Sequence, residues 1–187
     1  MSNLIASLRV AVASMLVCVL GYSAAVLVVA QLFPDTALGS LVTAADGKVI
    51  GSRLIGQNFS GPRYFWPRPS AAGDGYDGTR AAGSNLSPTS GQLTARAQGL
   101  VAHYGATPDN PLPADLAAAS GGGLDPHISL QAALFQAPRV AAATFRTAAQ
   151  VDALIRGMAL PAGGFLAPDS IVNVLELNLA LDRAFQG

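Results

Sequence analysis

Between Val10 and Ala30 the chain carries 21 residues without a formal charge, and this run limits every fold available to it. As a helix rising ~1.5 Å per residue, it covers the ~30 Å hydrocarbon core of a bilayer. The competing reading is a cleavable signal peptide cut near Val28-Val29-Ala30. Signal peptides need an apolar core of only about 7 to 15 residues, so the length favours an uncleaved anchor. Arg9 and the free amine precede the run, while Asp35 and Asp46 are the first charges after it and no basic residue comes before Lys48. The positive-inside bias then expects the N-terminus in the cytoplasm and everything after Gln31 outside. Pro34 cannot continue the helix. The chain therefore divides into a membrane anchor over residues 1–33, with the span at about 10–30, and an exported domain over residues 34–187.

Beyond the span there are ten Lys and Arg against eleven Asp and Glu, a net of −1. No basic footprint for nucleic acid or polybasic lipid patch follows from that balance. The single cysteine, Cys18, lies inside the run. The exported part is thus expected to have no disulfide and no cysteine-based zinc site, and to depend on an ordinary apolar core.

Short β-prone runs, Leu41-Val42-Thr43 and Lys48 to Ser52, flank Ala44-Ala45-Asp46-Gly47, and Asp-Gly predicts a hairpin. Leu54 to Phe59 reads as a strand end, and residues 71 to 92 as a long loop rich in Gly, Ser, Asp and Asn. Ser87-Pro88 is placed to start a helix carrying Leu93, Ala97, Leu100, Val101 and Tyr104 on one face, with Gly105 ending it. A short helix is expected around Ala114 to Ala119. Leu130 to Phe145 is predicted to break into two helices at Pro138. Further helices are predicted over Val151 to Ala159 and over Ile171 to Ala184, the latter capped by Asp169 or Ser170. The expected fold class is α+β: one N-terminal transmembrane helix, then a small antiparallel sheet packed with several short helices.

The densest concentration of special residues is Ser120-Gly121-Gly122-Gly123-Leu124-Asp125-Pro126-His127-Ile128-Ser129. Its glycines permit positive φ and close approach, Asp125-Pro126 favours a side-chain-closed turn, and Ser129 sits where a helix N-cap belongs. It is a corner feeding a capped helix or a site. Asp125 and His127 invite a catalytic or metal reading, but His103 is the only other histidine, so a three-histidine site is impossible. Ser129 or Ser120 could complete a Ser/His/Asp set, although no Gly-Xaa-Ser-Xaa-Gly elbow is present. The glycine run is followed by no Lys-Ser or Lys-Thr, and Lys48 is the only lysine, so no phosphate loop is expected. Tyr64, Phe65, Trp66 and Arg68 read equally as a recognition patch or as core packing. Arg139 is expected to pair with Asp125 or Asp115. Asn173, Glu176 and Asn178 are polar groups amid apolar neighbours, suited to bonding the backbone of adjacent loops.

Several strings, in order, resemble one family: Gly51-Ser52-Arg53-Leu54-Ile55-Gly56-Gln57, Tyr64-Phe65-Trp66-Pro67-Arg68-Pro69-Ser70-Ala71, Gly83-Ser84-Asn85-Leu86, Gly123 to Ser129, and Asn173 to Asp182. Together with the N-terminal span they resemble the C subunits of the bacterial high-affinity potassium-transporting ATPase, the Kdp system. Ala141 to Phe145 departs from the more basic, glycine-containing stretch expected there. The resemblance implies a non-catalytic accessory subunit, single-pass in the bacterial inner membrane. Its implied partners are a P-type ATPase subunit, a channel-like potassium subunit and a small membrane peptide, with no nucleic acid. ATP and K+ would be used by the complex, and no cofactor or metal would be bound by a motif of this chain. The resemblance also implies a catalytic-chaperone role, raising the ATP affinity of the hydrolysing subunit through a transient ternary complex. Family-motif or interface positions would be Gly56, Gln57, Tyr64, Phe65, Arg68, Pro69, Ser84, Asn85, Asp125, Pro126, His127, Ser129, Arg139, Asn173 and Asn178. Two other readings compete: a membrane-anchored periplasmic hydrolase using Asp125, His127 and Ser129, and a free-standing anchored binding module.

Overall fold

The uncharged run is helical over its whole length in the computed structural model, which describes residues 2–44, 46–163 and 169–185. Helix α1 (Ser2–Met15), a π-helical stretch (Leu16–Gly21) and helix α2 (Tyr22–Ala30) are continuous and contain no buried residue. Among the described residues this 29-residue rod is the one helix long and apolar enough to cross a membrane. Pro34 opens a short helix, α3 (Pro34–Ala37), at the position where its missing N–H costs nothing. The chain falls into two compact units, Met1–Leu41 and Val42–Gly187.

Strands β1 (Leu41–Thr43) and β2 (Val49–Ser52) form the expected hairpin, closed by Ala44 N–H to the Lys48 carbonyl at 2.9 Å. The expected strand end at Leu54 to Phe59 is absent, and no helix or strand occurs from Arg53 to Ser90. Helix α4 (Gly91–Tyr104) starts later than Pro88, because Ser87-Pro88-Thr89-Ser90 closes a turn through Ser90 N–H to the Ser87 carbonyl at 2.9 Å. Proline at the second position of a turn satisfies the same fixed φ that a helix start would. Gly105, at φ 64°, ends α4 as expected.

Helix α5 (Ala114–Ala117) leads through the glycine corner to β3 (His127–Ser129), α6 (Leu130–Thr144), α7 (Ala148–Met158), β4 (Leu160–Pro161), β5 (Ser170–Asn173) and α8 (Val174–Phe185). Pro138 does not divide α6. Val140 and Ala141 beyond the expected break join Ala132, Ala133 and Ala137 before it in the buried core, and that burial offsets the roughly 3 kcal/mol of an internal proline. Helix α7 begins three residues earlier than expected, where Thr147 and Gln150 make a reciprocal capping box. The last helix begins later than expected: Ser170–Asn173 is the centre strand of an antiparallel sheet of order β3-β5-β4, so Asn173 rather than Asp169 or Ser170 caps α8, its Oδ1 accepting from Glu176 N–H at 3.1 Å. Ile128 and Val172, paired across β3 and β5, face the core with Leu116, Val151, Ile155, Leu177 and Leu181.

Two buried amides fix the irregular segment to this core. Asn178 of α8 accepts from Phe65 N–H at 2.8 Å and donates to the Phe65 carbonyl at 3.0 Å. Gln136 of α6 does the same for Trp66, at 2.8 and 3.0 Å. Each side chain thus substitutes for a neighbouring β-strand, satisfying backbone groups that burial would otherwise leave orphaned. Phe65 is fully buried between the two helices.

The glycine corner is a socket for a second part of the same segment. Gly123 lies at φ 74°, and a Cβ there would stand 2.7 Å from Ala72 N and 2.8 Å from the Ala82 carbonyl oxygen. Ser70 Oγ donates to the Gly123 carbonyl at 2.6 Å, and Ala82 N–H donates to that of Gly122 at 3.1 Å. A Cβ at Gly121 or Gly122 would meet open space. Gly123→Ala is therefore expected to destabilise the full chain by about 3 kcal/mol, against less than about 0.5 kcal/mol for Gly121→Ala and Gly122→Ala, in thermal melts in detergent. Asn178→Leu, which leaves both Phe65 backbone groups unpaired, should likewise cost about 3 kcal/mol, lowering the melting temperature by about 10 °C.

Candidate functional site

Arg68, Asp115, Asp125, His127 and Ser129 converge on one open cleft of about 710 Å3. The corner is built from the sequence upward. Pro126 fixes φ after Asp125, and Asp125 Oδ1 accepts from His127 N–H at 3.0 Å, closing the expected turn. The same oxygen lies 3.4 Å from His127 Nδ1, and Arg68 Nη1 donates to Oδ2 at 2.9 Å. The His127 side chain holds the Asp125 carboxyl below the usual carboxylate range, helped by the His127 N–H and by Arg68, against the opposing effect of burial. Gly56 sits behind this turn, donating its N–H to the Leu124 carbonyl at 2.8 Å, and a Cβ there would lie 2.7 Å from the Asp125 carbonyl oxygen.

Ser129 is the N-cap expected of it, Oγ accepting from Ala132 N–H at 2.9 Å. Its hydroxyl proton goes to Asp115 Oδ1 at 3.1 Å, and Asp115 Oδ2 accepts from Ser129 N–H at 2.7 Å. His127 and Ser129 are two residues apart on β3 and share a face. With the serine bonded to Asp115 and the cap, no Ser–His–Asp relay is assembled. No cluster of three or more His, Cys, Asp or Glu able to hold a metal ion occurs among the described residues.

The other candidate positions are distributed through the scaffold. Gln57 donates to the Ile50 carbonyl at 2.8 Å, and the Pro69 carbonyl accepts from Ser120 N–H at 3.2 Å. The Pro126 carbonyl accepts from Val174 N–H at 2.9 Å, while Asn173 Nδ2 donates to the Arg53 carbonyl at 2.9 Å. Ser84 and Asn85 lie in the long loop, Asn85 at φ 47°. Tyr64 donates to Asp182 at 3.2 Å, its hydroxyl pushed up by burial and then by Asp182. Phe65 and Trp66 are core rather than an exposed recognition patch.

Arg139 pairs with neither Asp125 nor Asp115. Its guanidinium lies 3.6 Å from the centre of the Trp66 ring and donates to the carbonyls of Pro62 and Tyr64, at 2.6 and 3.0 Å, and to Gln136 at 2.7 Å. Asp115 and Asp125 are committed elsewhere, and burial lowers Arg139 to about 10. Gln136 escaped the sequence reading, although a lone glutamine among Ala132, Ala133, Ala137 and Val140 marks a polar group on a core face. Ser70 and Tyr76 also escaped. Tyr76 donates to the Arg68 carbonyl at 2.5 Å, fixing the backbone that carries Arg68, and burial raises its hydroxyl to about 12.

Because the folded state lowers the Asp125 pKa, its stabilisation is present above the unfolded value near about 3.9 and disappears as pH falls through the folded value. Asp125→Asn should cost about 1 kcal/mol at neutral pH, a modest figure because the side chain is a third exposed. Melts of both chains should differ by a constant amount above about pH 5 and converge at lower pH.

The family model described as K+-transporting ATPase, c chain, matches residues 4–183. Similar proteins named potassium-transporting ATPase KdpC subunit include one from Parvibaculum lavamentivorans, 62% identical over 98% of this chain and 97% of the relative. Another, from Myxococcus xanthus, is 46% identical over 98% and 89%, respectively. A third, from Caulobacter vibrioides, is 49% identical over 89% and 85%. The span, the glycine socket and the Asp-Pro-His corner all fall within the matched range, and the chain belongs to the KdpC family, the c chain of K+-transporting ATPases.

Proposed function

We propose that this chain is a non-catalytic accessory subunit of an ATP-driven potassium uptake complex, held in the bacterial inner membrane with its N-terminus in the cytoplasm and its domain outside. The observation that carries the reading is the 29-residue apolar helix, unburied along its length, in a chain of this family. Arg9 before the uncharged run and Asp35 after it support the orientation. Ala13, Ser14, Gly21, Ser23, Ala24 and Ala25 supply small side chains that let helices approach closely in lipid. The helix is then an assembly element as well as an anchor. Its partners are a P-type subunit that hydrolyses ATP, a channel-like subunit that carries K+ and a small membrane peptide, with the outer domain covering the mouth of the channel-like subunit.

A domain outside the membrane cannot touch cytosolic ATP. Its effect on ATP affinity passes instead through the spanning helix, as a difference in the contacts made with two states of the pump. The hydrolase reading is disfavoured by Ser129, whose hydroxyl caps α6 and bonds Asp115. Deleting residues 1–30 should lower co-purification with the P-type subunit at least about tenfold in gentle detergent and weaken apparent ATP affinity in a K+-stimulated ATPase assay. Undiminished association would defeat the docking role. A reporter fused after Gly187 should be active only on the outer side, and activity in the cytoplasm would reverse the topology.

A further inference from the structure

The geometry points to the outer face of the β3-β5-β4 sheet, with the cleft beside it, as a docking groove for a cationic segment of another subunit: a Lys or Arg side chain flanked by apolar residues. This inference rests on the accessory-subunit reading and names the surface through which the domain engages a partner.

The sheet has two unequal faces. Ile128 and Val172 point inward and are at most 1% exposed. The register places Ser129, Ile171 and Leu160 in one row across the three strands on the opposite face. Leu160, at the end of that row, is 57% exposed. Leu130 and Leu134, one turn apart on α6 and half-buried, continue the apolar surface along the cleft. The border of this surface is acidic. Asp115, Asp125 and Asp169 line the cleft beside the guanidinium of Arg68, so these carboxylates outnumber the guanidinium by two. Asp115 and Asp125 are held by bonds within the chain, whereas the Asp169 carboxylate has no partner among the described residues. A partner contributing one cation beside apolar side chains complements both the base and the border.

The occupant is a chain segment rather than a small molecule because the cleft is open to solvent, and small-ligand pockets enclose most of their ligand. It also docks through side chains rather than by adding a strand. Val174 N–H bonds the Pro126 carbonyl, which leaves the N–H groups of His127 and Ser129 directed away from β5. Asp125 and Asp115 already accept from both, at 3.0 and 2.7 Å.

The test uses the full chain in its assembled complex, extracted from native membranes. With the photo-crosslinker p-benzoylphenylalanine at exposed position 131 in place of Gln131, cross-links should map to a Lys- or Arg-containing segment of another subunit. Asp169→Lys and Leu160→Asn should each reduce the partner retained on a tagged chain by about fivefold at low salt, and the deficit of the charge reversal should narrow at high salt, which screens both the attraction and the introduced repulsion. Asp109→Lys, an exposed reversal outside the groove, should retain partners as the wild type does, and melts of all variants check folding. Unchanged retention by both groove variants, or cross-links confined to lipid or to a second copy of this chain, would overturn the groove and leave the accessory reading standing. A wild-type chain that retains no partner would overturn both.

Discussion

Two side-chain amides, Gln136 on α6 and Asn178 on α8, hold consecutive residues of a segment that has no strand or helix of its own. That grip and the glycine socket together fix the segment between Arg53 and Ser90. A loop so long would normally remain on the surface, because buried backbone lacks partners. Here the partners are provided by the helices, so Phe65 and Trp66 can enter the core and bring Arg68 with them to the cleft. Arg139 reinforces the arrangement by bonding Gln136 and two carbonyls on the approach to it while covering the Trp66 ring. Buried polar networks of this kind are strong only when every member is satisfied, and removal of one amide exposes two backbone groups at once.

The Asp-Pro-His corner makes sense within the same framework. Asp125 is shared among the His127 N–H, the His127 ring and Arg68, so one carboxylate joins the long loop to the start of β3. Gly56 and Gly123 leave room for backbone to approach it closely from two directions. Residues that resemble catalytic equipment in the sequence are therefore employed in holding separate stretches of chain together.

Features governed by a few neighbouring residues were legible in the sequence. The long apolar helix, the Asp-Gly hairpin, the Ser129 cap and the Gly105 stop each follow from one local rule. What could not be read locally was decided by distant packing. Pro138 remains inside a helix because residues on both sides of it are buried. Ser170–Asn173 became a strand because β3 and β4 were available to pair with it, which a capping pattern cannot reveal. Asn173 and Asn178 were expected to bond loop backbone and do so, whereas Glu176, expected to do the same, pairs with the Arg53 side chain at 2.7 Å; the equivalent role of Gln136 was hidden in an alanine-rich helix.

The small sheet has one further property. Its two outer strands are poor templates: β4 is two residues long and includes Pro161, and the outward N–H groups of β3 are covered by the carboxylates of Asp115 and Asp125. A strand edge with free N–H groups invites pairing with a second copy of the chain. The sealed edges of this sheet withhold that invitation, and the same carboxylates that shape the cleft supply the seal.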